Sequence, residues 1–391
     1  MSSTRSPDTS PASHGGKKVL IVAGEASGDL HGSSLVREMR TLRPSLRFYG
    51  IGGERMKKAG VDLVAASADM AVVGLTEVVG KLPFILGILK RLKASLVTEK
   101  PDLVILIDYP DFNLPLARWA CRKGIPVFYY ISPQVWAWRR RRVKKIKKYV
   151  RRMAVILPFE KALYEEAGMP DVHFAGHPLL DVVKSSFSPE EIRRRLEVKE
   201  KQHLVALLPG SRTGEVKTLL PVMIETARRL KAHLPDLVFA VPLAETVPER
   251  VVSDIIGKPE IPVRVIPNHV YDLLAVADGA LVASGTATLE TALMGTPMAV
   301  LYRVSPISYF IGRLVIRIRS IALVNIVAGR TIVPEFIQKQ AEPEAMSRAL
   351  LKILTDSTVR KRMSDDLRTL REKLGEPGAG KRVAQLALDL L

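Results

Sequence analysis

The sequence predicts an α/β protein: two Rossmann-like, doubly wound domains facing a cleft, followed by a C-terminal helical segment. Three observations predict it. From Lys17 onward, short runs of Val, Ile and Leu alternate with stretches of helical pattern. The runs are continuous instead of alternating apolar with polar, as expected for strands buried on both faces of a parallel sheet. The rhythm restarts after a Pro- and Ser-containing stretch at residues 177–189, so one such sheet is expected on either side of it. With 391 residues the chain has length for two or three domains.

Taken in order, residues 1–16 are rich in Ser, Pro and Gly without an apolar run, and read as a disordered tail and not a signal peptide. In the first domain, residues 17–180, strands are expected at 19–23, 103–107, 127–131 and 154–157, with a helix-like stretch from Gly24 to Arg40. In the second, residues 181–343, they are expected at 203–208, 238–241, 263–266, 280–283 and 298–302. Residues 344–391 read as helices broken around 375–380, packing on the first domain or on a partner subunit. The stretch 375–381 matches G-x-x-x-x-G-K, but Arg382 replaces the Ser or Thr that would hold Mg²⁺, so it reads as a break between helices.

Charge narrows the function classes. The 59 basic against 40 acidic residues give a net charge of +19, which implies a polyanionic partner: nucleic acid, an anionic membrane surface or phosphorylated substrates. Aromatic residues are 6% of the chain, too few for stacking on single strands, and no RNA-binding motif accompanies the charge; no nucleic-acid partner is expected. The single cysteine, Cys121, excludes a disulfide scaffold and fits a reducing compartment. No apolar run approaches the ~18 residues of a spanning helix. His173 and His177 share i,i+4 spacing, but Gly176 and Pro178 deny them a helix, so no metal pair is expected there.

In open α/β sheets ligands bind beyond the carboxyl ends of the strands, so the residues just after each run carry most weight. Gly24-Glu25-Ala26-Ser27-Gly28-Asp29-Leu30-His31 closes the first strand. Its glycines admit a ligand to the backbone; the competing reading is a tight turn capped by Ser27 or Asp29. Asp108 follows a buried strand, where low-dielectric surroundings raise a carboxyl's pKa toward that of a general base, while Asp111 suits the cap of the next helix. Gln134, Trp136 and Trp138 follow a third strand, with core packing an equal reading for the tryptophans. Residues 139–152 hold ten basic side chains in fourteen, with Val143, Ile146 and Val150 at helical spacing: a basic amphipathic helix suited to lipid head groups or phosphates. Residues 71–89 are mostly apolar and meet Lys90, Arg91 and Lys93. Their Gly and Pro content is expected to break a core helix, leaving Val72, Val73, Leu75, Val78, Phe84, Leu86 and Leu89 as a membrane or acyl-chain patch.

Two further strand ends lie in the second domain. Gly210-Ser211-Arg212 with Glu215 sets a guanidinium beside backbone N–H groups, as a phosphate requires. Ser284-Gly285-Thr286-Ala287-Thr288 resembles a pyrophosphate cradle, and Glu290 is placed to reach ribose hydroxyls. The pair points to a nucleotide-sugar.

These stretches, read together with 22–29, 107–113, 130–139, 157–160, 176–181 and 325–330, resemble the lipid-A-disaccharide synthase family of Gram-negative bacteria, in family order across nearly the whole chain after the tail. The resemblance implies an inverting glycosyltransferase of the two-domain B fold. It would join UDP-2,3-diacylglucosamine to 2,3-diacylglucosamine 1-phosphate (lipid X), releasing UDP and forming a β(1→6) disaccharide, with no cofactor and no metal. By position it makes Asp108 the general base, Arg212 and Asn325 functionally important polar residues, residues 283–290 the UDP-binding segment and Glu290 the ribose contact. Read from their strand ends, Glu25, Ser27, Asp29, His31 and Gln134 are the acceptor-side candidates, with His31, able to titrate near neutrality, the rival base. Gly210, Ser211 and Glu215 join Arg212, residues 284–288, Glu290 and Asn325 as the expected donor site. It also implies an anionic membrane surface as partner, a homodimer exchanging C-terminal segments, and a cytoplasmic location, peripheral on the inner face of the inner membrane. The alternative is a related UDP-N-acetylglucosamine transferase acting on a polyprenyl-linked acceptor.

Overall fold

The computed structural model describes residues 16–70, 75–136, 141–257, 261–304 and 320–391. Seven strands form the first sheet: β1 (Lys18–Ala23), β2 (Arg47–Gly52), β3 (Val61–Ala66), β4 (Leu103–Ile107), β5 (Val127–Tyr130), β6 (Arg152–Val155) and β7 (Val172–Phe174). Their order is β3-β2-β1-β4-β5-β6-β7, and every pairing is parallel. Six more form the second: β8 (His203–Leu208), β9 (Leu237–Leu243), β10 (Val263–Pro267), β11 (Gly279–Ala283), β12 (Met298–Tyr302) and β13 (Glu335–Ile337). Their order is β10-β9-β8-β11-β12-β13, again all parallel.

The central strands are those whose sequences are unbroken hydrocarbon. All five residues of β4 are buried, as are all of β11 and all but the first of β8. Helices on both faces leave no solvated side, which is why these runs do not alternate. Strand order reverses between β1 and β4 in one sheet and between β8 and β11 in the other. At such switch points the connections leave in opposite directions and open a crevice beyond the carboxyl ends.

The structure adds strands absent from the sequence reading. β2 carries Gly50 and Gly52, β3 is a partly exposed edge strand containing Asp62, and β7 and β13 have three residues each. β6 starts two residues earlier than expected because Arg152 is held by Asp171, Nε to Oδ1 at 2.9 Å, so a charge sits in the strand. β5 stops at Tyr130 because Ile131 turns to φ 63°.

Residues 75–98 correct another expectation. Despite Pro83 they form one helix, Leu75–Thr98. Proline removes one intrahelical bond, but Ile88, Leu89, Leu92 and Leu96 are buried against the first sheet's core and outweigh that loss.

At the C-terminal end, the helix Pro343–Thr355 packs on Thr213–His233 and on β11 and β12, and Ser357–Lys373 packs on Ala287–Leu293. Both therefore belong to the second sheet's layer. Only Ala379–Leu388 crosses back, burying Val383, Ala384 and Ala387 on the helix Ala26–Leu42 and the first core. Arg382 Nε fastens it to the carbonyl of Ala175 at 2.9 Å.

Candidate active site

The chain leaves β4 through two consecutive left-handed residues, Asp108 and Tyr109, each at φ 43°. Side chains bearing Cβ avoid this region, so the turn persists only if its surroundings hold it. They do. The Tyr129 hydroxyl and Asn113 Nδ2 both donate to the Asp108 carbonyl, at 2.5 and 2.7 Å. The Tyr109 hydroxyl donates to Met70 O at 3.1 Å, and its ring lies where a Cβ on Gly24 would stand, 2.4 Å away. Gly24 is thus required for the two strand ends to touch.

The outcome is a cavity of about 290 Å³ whose wall includes Glu25, Asp108, Asp111, Gln134 and Arg142. Burial, and secondarily the charge of Glu25, push the Asp108 carboxyl up to about 7, against the lowering effect of the Tyr109 N–H. A carboxyl so placed exchanges a proton near neutrality, the property a general base needs. Asp111 is not the helix cap: Tyr109 takes that position, Pro110 opens the helix Pro110–Arg122, and Asp111 pairs with Arg142.

The loop that carries Gln134 is held by residues that sequence reasoning missed. Glu160 and Tyr164 stand one turn apart on the helix Pro158–Glu166. The Tyr164 and Ser132 hydroxyls are hydrogen-bonded at 2.7 Å, and Trp136 Nε1 donates to Glu160 Oε1 at 3.1 Å. One helix face therefore grips both ends of the loop between Ser132 and Trp136. Glu160 also accepts the Leu157 N–H at 3.2 Å; burial nevertheless pushes its carboxyl up to about 8. The need of a buried Trp for an N–H partner was the signal available. Trp138 lies outside the described residues.

The second cavity, about 490 Å³, opens at the β8/β11 switch point. Gly210, Ser211, Arg212, Glu215, Ser284, Gly285, Thr286, Ala287 and Glu290 all stand on its wall. Gly210 stands at φ 108°, a backbone conformation that strains any residue bearing a Cβ. Arg212 Nη1 lies 3.1 Å from Glu215 Oε1, and the Tyr271 hydroxyl donates to Glu290 Oε1 at 2.8 Å. Burial raises the Glu290 carboxyl above its ordinary value. Arg55, after β2, comes within 3.9 Å of Glu245 on this cavity's wall, an ion pair from one sheet's layer to the other's.

Other expected site residues stand elsewhere. Asp29 does not face a cavity: it is buried, accepting the N–H groups of Gly53, Arg55 and Met56. Thr288 is fully buried with its hydroxyl on Gly285 O at 2.8 Å, turned away from the cradle. Asn325 is buried too, donating to Val333 O and Glu335 Oε1 and accepting from the Ile332 and Val333 N–H groups. It braces a loop and has no atom left for a nucleotide. Ser27 is exposed on the first turn of Ala26–Leu42 and lines neither cavity. His31 lies edge-on to Tyr130 at 6.4 Å; burial lowers its pKa to about 4, so it is neutral at pH 7, and it also lines neither cavity.

In the apolar patch, Val72 and Val73 lie outside the described residues, and Leu75 and Val78 fall in the first turns of the helix Leu75–Thr98. Phe84 and Leu86 are exposed, 46% and 54%, with Leu82 beside them, whereas Leu89 is core. Of the basic run, Arg142–Tyr149 is helical, burying Val143 and Ile146 while Lys144, Lys145, Lys147 and Lys148 face outward. Val150 follows in extended backbone, Arg152 opens β6, and residues 139–140 lie outside the described residues. Among the described residues no group of three or more His, Cys, Asp or Glu is placed to hold a metal ion, and no helix is long and apolar enough to cross a membrane.

Comparison with known proteins adds the following. Residues 19–389 match the family of lipid-A-disaccharide synthetase. The lipid-A-disaccharide synthase of Syntrophus aciditrophicus is 57% identical over 376 residues, covering 96% of this chain and 98% of that protein. Its counterpart in Geobacter sulfurreducens is 45% identical over 374 residues, covering 96% and 97%. Among solved structures, the glycotransferase of kitacinnamycin superposes with a TM-score of 0.65 at 18% identity, covering 97% of this chain and all of that one. A UDP co-structure of MnaA from S. aureus gives 0.63 at 15%, covering 96% and 98%. At such identities these two speak for the fold alone.

Proposed function

The chain belongs to the lipid-A-disaccharide synthetase family and is a glycosyltransferase of lipid A disaccharide synthesis; from that premise we propose that it couples a diacylated UDP-glucosamine bound by the second domain to a diacylglucosamine 1-phosphate bound beside Asp108. The observation that carries this reading is the pair of cavities, one at each sheet's switch point, with a carboxyl poised near neutrality in the first and a guanidinium beside small hydroxyl residues in the second.

The Asp108 carboxylate takes the proton of the acceptor 6-hydroxyl as its oxygen attacks the donor's anomeric carbon. The bond from that carbon to the diphosphate oxygen breaks on the opposite face, inverting the configuration and releasing UDP. Arg212 and the hydroxyls of Ser284 and Thr286 meet the charge that grows on the diphosphate, and Glu290 holds the ribose. No metal enters this reading, so a chelator leaves the rate unchanged. Exposed Leu82, Phe84 and Leu86, with the lysines of Arg142–Tyr149, suit an anionic membrane surface, where both substrates reside.

The test is incubation with the diacylated UDP-sugar and lipid X, scoring disaccharide by mass. Asp108→Asn loses most turnover but keeps donor binding, and unchanged turnover would remove Asp108 from its role. Transfer from unacylated UDP-N-acetylglucosamine instead would replace the substrate assignment.

A further inference from the structure

The Asp108 cavity has an unusual charge balance for the substrate it would take. Glu25, Asp108 and Asp111 bring three carboxyl groups to its wall, and among the described lining residues Arg142 is the one cation. An anionic acceptor entering that recess meets a wall rich in carboxyl groups, and a positive charge there favours its binding. The Arg142 side chain is only 12% exposed, and Asp111 pairs with its Nη2. A guanidinium carries five N–H donors in a fixed fork, and a carboxylate at one edge orients that fork. The lysines that follow on the helix Arg142–Tyr149 line no part of this cavity.

We infer that Arg142 binds the phosphate of the acceptor and makes the enzyme select a sugar 1-phosphate over the same sugar lacking it. This rests on the reading of the Asp108 cavity as the acceptor site. Asp111 positions the fork, so that two N–H groups meet two phosphate oxygens side by side, geometry an ammonium cannot reproduce. The phosphate then anchors the sugar at one end of the recess while its 6-hydroxyl reaches Asp108. Arg142 is a specificity-determining residue in this scheme and takes no part in proton transfer.

The experiment measures kcat/KM for diacylglucosamine 1-phosphate and for its dephosphorylated counterpart, at saturating diacylated UDP-sugar, in the wild type and in Arg142→Ala and Arg142→Lys. The expected result is a wild-type preference for the phosphorylated acceptor. Arg142→Ala should lose roughly 10- to 100-fold on that acceptor, mainly through its KM. On the dephosphorylated acceptor, which offers the guanidinium no phosphate, the loss is much smaller, and the donor KM is unmoved. Arg142→Lys falls between. Should Arg142→Ala fail to fold by circular dichroism, Arg142→Gln removes the charge while keeping a polar side chain there, and is read the same way. Equal losses on both acceptors, a preference that survives the substitution, or a wild type indifferent to the phosphate overturns the assignment alone. A wild type that makes disaccharide from neither acceptor overturns the site reading, and this assignment with it.

Discussion

Asp108 owes its chemistry to its neighbours more than to its own sequence position. The recess that desolvates it is closed by Tyr109 and Gln134, and Glu25 across the β1 turn adds a like charge. Both effects favour the protonated form, so below about pH 7 the carboxyl holds the proton it must lack to act as base. The turnover rate should therefore climb as pH rises through about 7. Glu25→Gln removes the like charge and should move that limb to lower pH with little change in the plateau, as a pH–rate series would show. A limb that stays put would detach Glu25 from the carboxyl's titration. The strand-end rule made Asp108 legible because a strand's end is visible in sequence. What sequence does not show is the direction of a side chain on the following turn. Thr288 bonds back to its own turn and Asn325 is consumed by Val333 and Glu335, so both looked like ligand contacts and are braces.

Two helices show how an element turns residue patterns into function. On Pro158–Glu166, the i,i+4 pair Glu160 and Tyr164 grips the loop that presents Gln134. Trp136→Phe leaves a buried Glu160 oxygen without its donor, a loss of about 1–3 kcal/mol. The acceptor KM should rise while UDP binding to the second domain is unchanged; a calorimetric titration showing both weakened together would mean general unfolding instead. On Leu75–Thr98 the expected patch divides by face. Phe84→Ser with Leu86→Ser should reduce liposome binding at unchanged thermal stability, whereas Leu89→Ala should lower stability by roughly 2–5 kcal/mol and leave liposome binding intact. Equal liposome binding by the double variant would dismiss the exposed face as a membrane contact. Pro83 hid this from sequence reasoning, since a proline normally ends a helix; the burial of Ile88 through Leu96 on a sheet formed by distant residues decides otherwise.

At the scale of the molecule, the doubled β–α rhythm was readable because each central strand is buried on both faces, while edge strands such as β3 and β13 were not, having half a core to satisfy. The path of residues 374–391 was legible in part. A break near 375–380 and packing on the first domain or a partner subunit were expected of residues 344–391, but not that the last helix alone, with Val383, Ala384 and Ala387 on one side, makes the crossing. In the structure it returns to Ala26–Leu42, whose start is the turn carrying Glu25. The chain therefore passes between the two layers twice, once through residues 175–202 and once after Leu374, where the His177 N–H donates to the Leu374 carbonyl at 2.8 Å. Deleting residues 376–391 would strip the cover from Ala26–Leu42 and cut the second crossing, but would leave every wall residue of the larger cavity in place. Exposing Val383's partners and losing the Arg382 bond to Ala175 should cost roughly 3 kcal/mol or more. Scanning calorimetry should then show the transition of the first layer falling by several degrees and separating from that of the second. UDP affinity should persist while turnover collapses, because the loosened helix no longer holds the β1 turn, with Gly24 against the Tyr109 ring, at the wall of the Asp108 recess. Loss of UDP binding in parallel with turnover would show that the C-terminal helix supports both layers alike.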